Sequence, residues 1–213
     1  LKPMLTLINF QKKYQNNTVL NIPDFNVDPG IYWLKGGNGT GKSTLLKSLA
    51  GLIHFDGDIL LNKQINLKKN PRTYRRLVNF AEAEPVFPEF LTGNELVTMF
   101  AEAKDAEPGQ QNQYLESMDM LTYIDQPIGT YSSGMLKKLS LTLAFLGKPR
   151  LILLDEPLIT VDTASLEILY KWITAHYQHY GTNFILASHQ PLENSGIPVT
   201  REILIENKSL KFN

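Results

Sequence analysis

The chain has 213 residues, 43% hydrophobic and 20% charged, which suits one substantial soluble domain or one domain with an insert. With 21 basic and 21 acidic residues it lacks the basic excess of a dedicated nucleic-acid binder, and with no cysteine it excludes disulfides and cysteine-based zinc sites. No apolar run approaches the roughly 20 residues that span a bilayer, and the opening Leu1-Lys2-Pro3-Met4 reads as no secretory signal because no long apolar region follows it.

Residues 4–35 predict short strands broken by turns at Gln15-Asn16-Asn17 and Val27-Asp28-Pro29-Gly30. The last of these strands, Ile31-Tyr32-Trp33-Leu34, runs into a glycine-rich loop. A helix is expected from Lys42 to Ala50, with Gly51 placed to end it. Lys68-Lys69-Asn70-Pro71-Arg72, with Arg75 and Arg76, is the one basic cluster and reads as a solvated loop and strand entry. Leu77–Ala81, Leu151–Leu154 and Phe184–Ala187 are continuous apolar runs, the pattern of parallel strands covered on both faces. Between the first two, from about Glu84 to Gly147, the chain looks helical and strand-poor, with prolines at its entry and exit. Thr163 to Tyr180 predicts a helix that Gly181 stops, with Leu166, Leu169, Trp172 and Ile173 at helical spacing. The alternation argues for an α/β fold with a largely parallel sheet and a helical insert. The reading is one domain over 1–213, with a core at 1–83 and 148–213 and a helical subdomain at 84–147.

The loop Gly36-Gly37-Asn38-Gly39-Thr40-Gly41-Lys42-Ser43 has the spacing G-x-x-x-x-G-K-[ST]. Glycines are needed there because backbone N–H groups must turn inward around phosphate oxygens, and the helix that follows adds its positive end. Lys42 would reach the β- and γ-phosphates, the Ser43 hydroxyl would bind Mg²⁺, and Thr44 would add a second hydroxyl. An incidental glycine turn is the bland alternative, and the flanking strand and helix weigh against it. The strand Leu151–Leu154 ends in Asp155-Glu156-Pro157. Carboxylates at the carboxyl end of a parallel strand are placed for a metal-nucleotide. Asp155 would hold Mg²⁺, and Glu156 would orient or deprotonate the attacking water.

These motifs, with what lies between and after them, resemble the ATP-binding cassette family over essentially the whole chain. The phosphate loop fits the family form G-x-N-G-x-G-K-S-T, with Gly36, Asn38, Gly39, Gly41, Lys42, Ser43 and Thr44 matched. Tyr131-Ser132-Ser133-Gly134-Met135 looks like the family signature, Val161-Asp162 like the loop that ends in aspartate, and His189 like the switch histidine that contacts the γ-phosphate. Tyr14 sits where the family carries an aromatic that stacks on adenine; a packing role is the alternative. The resemblance implies a P-loop NTPase of RecA-like core, with a mostly parallel sheet, an N-terminal antiparallel β subdomain and a helical insert. It also implies that the signature residues Ser132, Ser133 and Gly134 complete the site of a second ATPase subunit, head to tail, and that Asp162 is among the nucleotide-binding residues.

The helix behind the signature is expected over Ser133–Leu146, with free N–H groups in its first turn and with Lys137 and Lys138 on its solvated face. The sequence departs from the family where a glutamine is usual. Phe80-Ala81-Glu82-Ala83-Glu84-Pro85 has none, which sets Glu82 or Glu84 as substitutes and puts the hydrolytic rate or the usual coupling in question. The leading expectation is the ATPase subunit of a membrane transporter, using ATP and Mg²⁺. It would lie peripherally on the cytoplasmic face of the membrane and act through separate permease subunits, with no nucleic acid. Pro85-Val86-Phe87-Pro88-Glu89-Phe90-Leu91 is a candidate docking segment. The alternatives are a soluble non-transport ATPase of the same type, or an ATP-gated regulator or scaffold with weak hydrolysis.

Overall fold

The computed structural model describes residues 2–189 and 196–213. Strands β1 (Leu5–Tyr14) and β2 (Asn17–Val27) form an antiparallel hairpin, reversing where Gln15 takes φ 52. They are longer than the short strands expected, because one antiparallel ladder, with a register shift between Lys12 and Lys13, runs almost their whole length. Next come β3 (Ile31–Lys35), helix α1 (Lys42–Leu49), β4 (Asp56–Leu61) and β5 (Ile65–Asn66). Strand β4 joins β1, giving a four-stranded antiparallel sheet in the order β2-β1-β4-β5.

A second helix, α2 (Pro71–Leu77), precedes β6 (Val78–Ala81). The basic cluster is therefore partly helical. Pro71 takes the first helical position, where a missing N–H costs nothing, and Leu77 ends the helix rather than starting the strand. Arg75 and Arg76 are spent locally, on the Gly51 carbonyl and on Asp105. Three helices follow before the next strand: α3 (Gly93–Ala103), α4 (Gln110–Ser117) and α5 (Ser133–Ala144). A capping box between Thr92 and Glu95 starts α3. Strand β7 (Leu151–Asp155), α6 (Thr163–Ala175), β8 (Asn183–Ala187), β9 (Arg201–Glu206) and β10 (Ser209–Phe212) complete the chain. The last predicted helix changes character at its end. Residues His176–Tyr180 widen into a π turn that Gly181, at φ 63, stops.

The main sheet has the order β10-β9-β3-β8-β7-β6, parallel except for the β9–β10 pair. Its central strands β3, β7 and β8 are apolar through their middles, with polar residues only at their ends, because both faces are buried. Ile31, Trp33, Ile152, Leu154, Phe184 and Leu186 face one core, shared with α3, α4, α5 and α6. Tyr32, Leu34, Leu151, Leu153, Ile185 and Ala187 face the other, shared with α1 and the antiparallel sheet. One residue of slip in any of these strands would exchange the two sets. The carboxyl ends of β3, β6, β7 and β8 consequently lie along one edge of the sheet, and each runs into a loop that carries a candidate site residue. Among the described residues, no helix is long and apolar enough to cross a membrane.

Candidate active site

The phosphate loop connects β3 to α1. Gly39 and Gly41 take φ of 75 and 107, left-handed backbone that side chains resist. A Cβ on Gly41 would also meet the Val19 side chain at 2.9 Å, so β2 presses directly on the loop. The Thr40 N–H and hydroxyl both donate to the Gly37 carbonyl, at 3.3 and 2.9 Å. Lys42 is buried at the start of α1. Its Nζ donates to the Gly36 and Gly37 carbonyls at 2.8 and 3.3 Å and lies 3.2 Å from His189 Nε2.

The acidic pair leaves the neighbouring strand. Asp155 is 1% exposed, and neither carboxylate oxygen has a well-formed hydrogen bond. Burial raises its pKa, opposed by the nearby Ser43 hydroxyl and by Lys137 and Lys47. Two buried, orphaned oxygens beside a serine hydroxyl fit a divalent cation, because Mg²⁺ takes one carboxylate and completes its shell with phosphates and water. Glu156 takes φ 43, an uncommon conformation for a residue with a side chain, with its N–H bonded to the Ala187 carbonyl at 2.9 Å. Its carboxylate meets His189 twice: Oε1 lies 3.5 Å from Nε2, and Oε2 accepts from the backbone N–H at 3.3 Å. Lys42, Glu156 and His189 thus converge from three different strand ends.

Other candidate residues lie apart from this cluster. Tyr14 is 49% exposed, and Lys12 Nζ lies over one face of its ring, 4.5 Å from the centroid. Ser132 caps α5 by accepting from the Met135 N–H at 3.3 Å, which uses one of the amides expected to be free. Among the described residues, the Ser133 and Gly134 N–H groups have no hydrogen-bond partner, and none of Ser132, Ser133 and Gly134 bonds to the phosphate loop of its own chain. Asp162 caps α6, accepting from the Ser165 N–H at 2.9 Å, and pairs with Lys138 at 2.9 Å. The Ser165 bonds and the Lys138 charge hold its carboxyl well below the usual range.

The expectation of solvated lysines on α5 is overturned. Lys137 has no exposed surface, and its Nζ donates to the carbonyls of Asp155 at 2.9 Å, Glu82 at 2.8 Å and Ala83 at 3.2 Å. Burial lowers its pKa to about 8, against the pull of Asp155, Glu156 and Glu82. Three carbonyl oxygens can hold an ammonium group in the interior because they use all three of its donors. Lys138 is mostly covered as well. A signal was present in the sequence: Lys137 shares its helical face with Ser140, Leu141 and Ala144, all buried. Sequence reasoning also missed Lys47, which forms an ion pair with Glu82. Of the two glutamates in the stretch that lacks the family's glutamine, Glu82 is thus engaged by a lysine.

The sequence matches the family described as ABC transporter over residues 20–159, more than half of the chain. The chain belongs to the ABC transporter ATPase family. Among its relatives is the cytochrome c biogenesis ATP-binding export protein CcmA of Legionella pneumophila (strain Lens), 33% identical over 192 residues, or 89% of this chain and 94% of that protein. The zinc import ATP-binding protein ZnuC of Hydrogenovibrio crunogenus is 28% identical over 189 residues, covering 88% and 73%. A solved ATP-binding subunit of an ABC transporter superposes with a TM-score of 0.85 at 25% identity, covering 98% of this chain and 88% of that one. The chain is an ATP-binding subunit of this transporter family, and its reaction is ATP hydrolysis. Proteins of the family act as dimers with membrane permease components.

Proposed function

We propose that Lys42, Glu156 and His189 form the hydrolytic centre, and that the observation carrying this is their convergence within 3.5 Å of His189 Nε2. ATP binds with its β- and γ-phosphates against the N–H groups of the phosphate loop and the Lys42 ammonium. The Gly36 and Gly37 carbonyls hold that ammonium at the mouth of the loop. Ser43 and Asp155 hold Mg²⁺, which supplies charge neutralisation across the phosphates. Glu156 accepts the proton of the attacking water, and His189 orients that carboxylate and contacts the γ-phosphate. The positive φ at Glu156 turns its side chain toward His189 rather than along the strand.

The site is half of a composite one. The unpartnered Ser133 and Gly134 N–H groups at the start of α5 are directed to the γ-phosphate held by a second subunit, with Ser132 and Asp162 beside them. Closing two subunits around two nucleotides, and opening them after the γ-phosphate is lost, gives the two-state cycle that drives transport. Permease contact falls on the segment 85–91. Val86 is 88% and Phe90 82% exposed, while Phe87 and Leu91 pack inward and anchor the segment. On this reading the subunit lies on the cytoplasmic face of a membrane, held there by the permease. The test is Glu156→Gln: ATP binding persists and the subunits accumulate in the closed pair, while parental hydrolysis by this variant overturns the assignment.

A further inference from the structure

Lys137 has no role in the chemistry just described, yet it touches three parts of the site at once. It stands on α5, four residues after Ser133, so it moves with the helix whose start faces the second subunit. Its Nζ holds the carbonyl of Asp155, the peptide group that leads directly into Glu156. It also holds the carbonyls of Glu82 and Ala83, the first residues after β6 and the start of the path to the exposed Val86. Asp155 supplies a second carbonyl-side constraint on Glu156, whose N–H is already fixed to Ala187. Glu156 sits at φ 43, a conformation that persists only where its surroundings over-determine it.

We propose that Lys137 is a positioning residue for hydrolysis: its three carbonyl bonds lock the backbone that aims Glu156 and tie that backbone to the signature helix and the permease-facing segment. The inference rests on Glu156 being the base, and it assigns Lys137 no contact with nucleotide. A shift in the carboxylate of about an ångström is enough to slow such a step by up to about a hundredfold.

The experiment is steady-state ATP hydrolysis by the assembled transporter carrying Lys137→Met, a near-isosteric change that removes all three donors. Expected is a fall in kcat of roughly tenfold or more, with KM for ATP within about twofold of the parent, because the phosphate loop is untouched. Lys137→Gln, with two donors on a shorter chain, should recover part of the loss, and it carries the same kcat-against-KM reading if the methionine variant does not fold. In a Glu156→Gln background, single-turnover hydrolysis should lose no more than about a further twofold from Lys137→Met, since a residue acting through Glu156 has nothing left to position. Unchanged kcat, a KM that rises in step with the loss, or losses that multiply in the Glu156→Gln background each overturn the proposal. The base assignment fails separately, in the Glu156→Gln single variant.

Discussion

The phosphate loop and the loop after β6 lie at the same edge of one sheet, and they are held in opposite ways. The phosphate loop is ordered from within: Thr40 and Lys42 bond to the Gly36 and Gly37 carbonyls, and two left-handed glycines shape the turn. The loop at Glu82-Ala83 is ordered from outside, by Lys137 from 55 residues further along and by Lys47 on α1. A motif is readable from sequence when its stabilising partners are its own neighbours. Borrowed order leaves no signature in the loop itself; what signal there is for Lys137 lies on its own helix, in the buried face it shares with Ser140, Leu141 and Ala144.

The comparison can be pressed hardest at the locally built loop. Lys42→Ala should weaken ATP binding roughly a hundredfold or more, because it removes the buried cation that meets the phosphates. Isothermal titration checks this, and unchanged affinity would mean that the loop does not hold phosphate through Lys42. The melting temperature should move little, since the ammonium bonds only two loop carbonyls and the half-exposed His189 side chain.

The borrowed contacts should show the reverse, with stability lost and nucleotide affinity kept. His176 joins α6 to α4 through a 2.8 Å bond between its Nε2 and the Tyr114 hydroxyl. Burial lowers its pKa to about 4, below the ordinary 6.5. The unfolded chain therefore takes up a proton that the folded chain refuses as pH falls from 6.5 toward 4. The stability present above pH 6.5 is progressively lost in that window, by about 3 kcal/mol. Urea unfolding at a series of pH values should show this slope in the parent and a flatter one in His176→Gln. Asn79 on β6 comes next. Its amide donates to the Ala144 and Leu146 carbonyls, both at 2.8 Å, and fastens the strand to the end of α5. Asn79→Ala should cost about 2 kcal/mol by leaving buried carbonyls unpaired, with titrated ATP affinity unchanged. The smallest effect on stability belongs to the exposed pair. Val86→Ala with Phe90→Ala should alter unfolding by no more than about 0.5 kcal/mol while reducing co-purification with the permease chains.

Much of the fold was legible. The continuous apolar runs at Leu151–Leu154 and Phe184–Ala187 are strands β7 and β8, and they read that way because a strand covered on both faces has no polar side to show. The helix after the phosphate loop ends at Leu49 with Gly51 left-handed behind it, as its glycine stop implied. Boundaries set by tertiary contact were not legible. Leu77 belongs to α2 because Pro71 starts a helix that nothing breaks before it, and the π turn at His176–Tyr180 has no marker of its own beyond Gly181. At the site, the sequence named the residues that the fold gathers at the sheet edge, since each ends an apolar strand or opens a helix. It missed Lys137 and Lys47, whose partners lie far along the chain. It also gave Asp162 only a nucleotide-binding part, where the structure shows a helix cap and an ion pair with Lys138.

The central claim is that Glu156, set between Asp155 and His189, is the base for ATP hydrolysis. The most direct test is phosphate release by the assembled transporter carrying Glu156→Gln, measured beside ATP binding to the same preparation. Binding should stay within about twofold while release falls by roughly a hundredfold or more. Release at the parental rate from a protein that still binds ATP would contradict it.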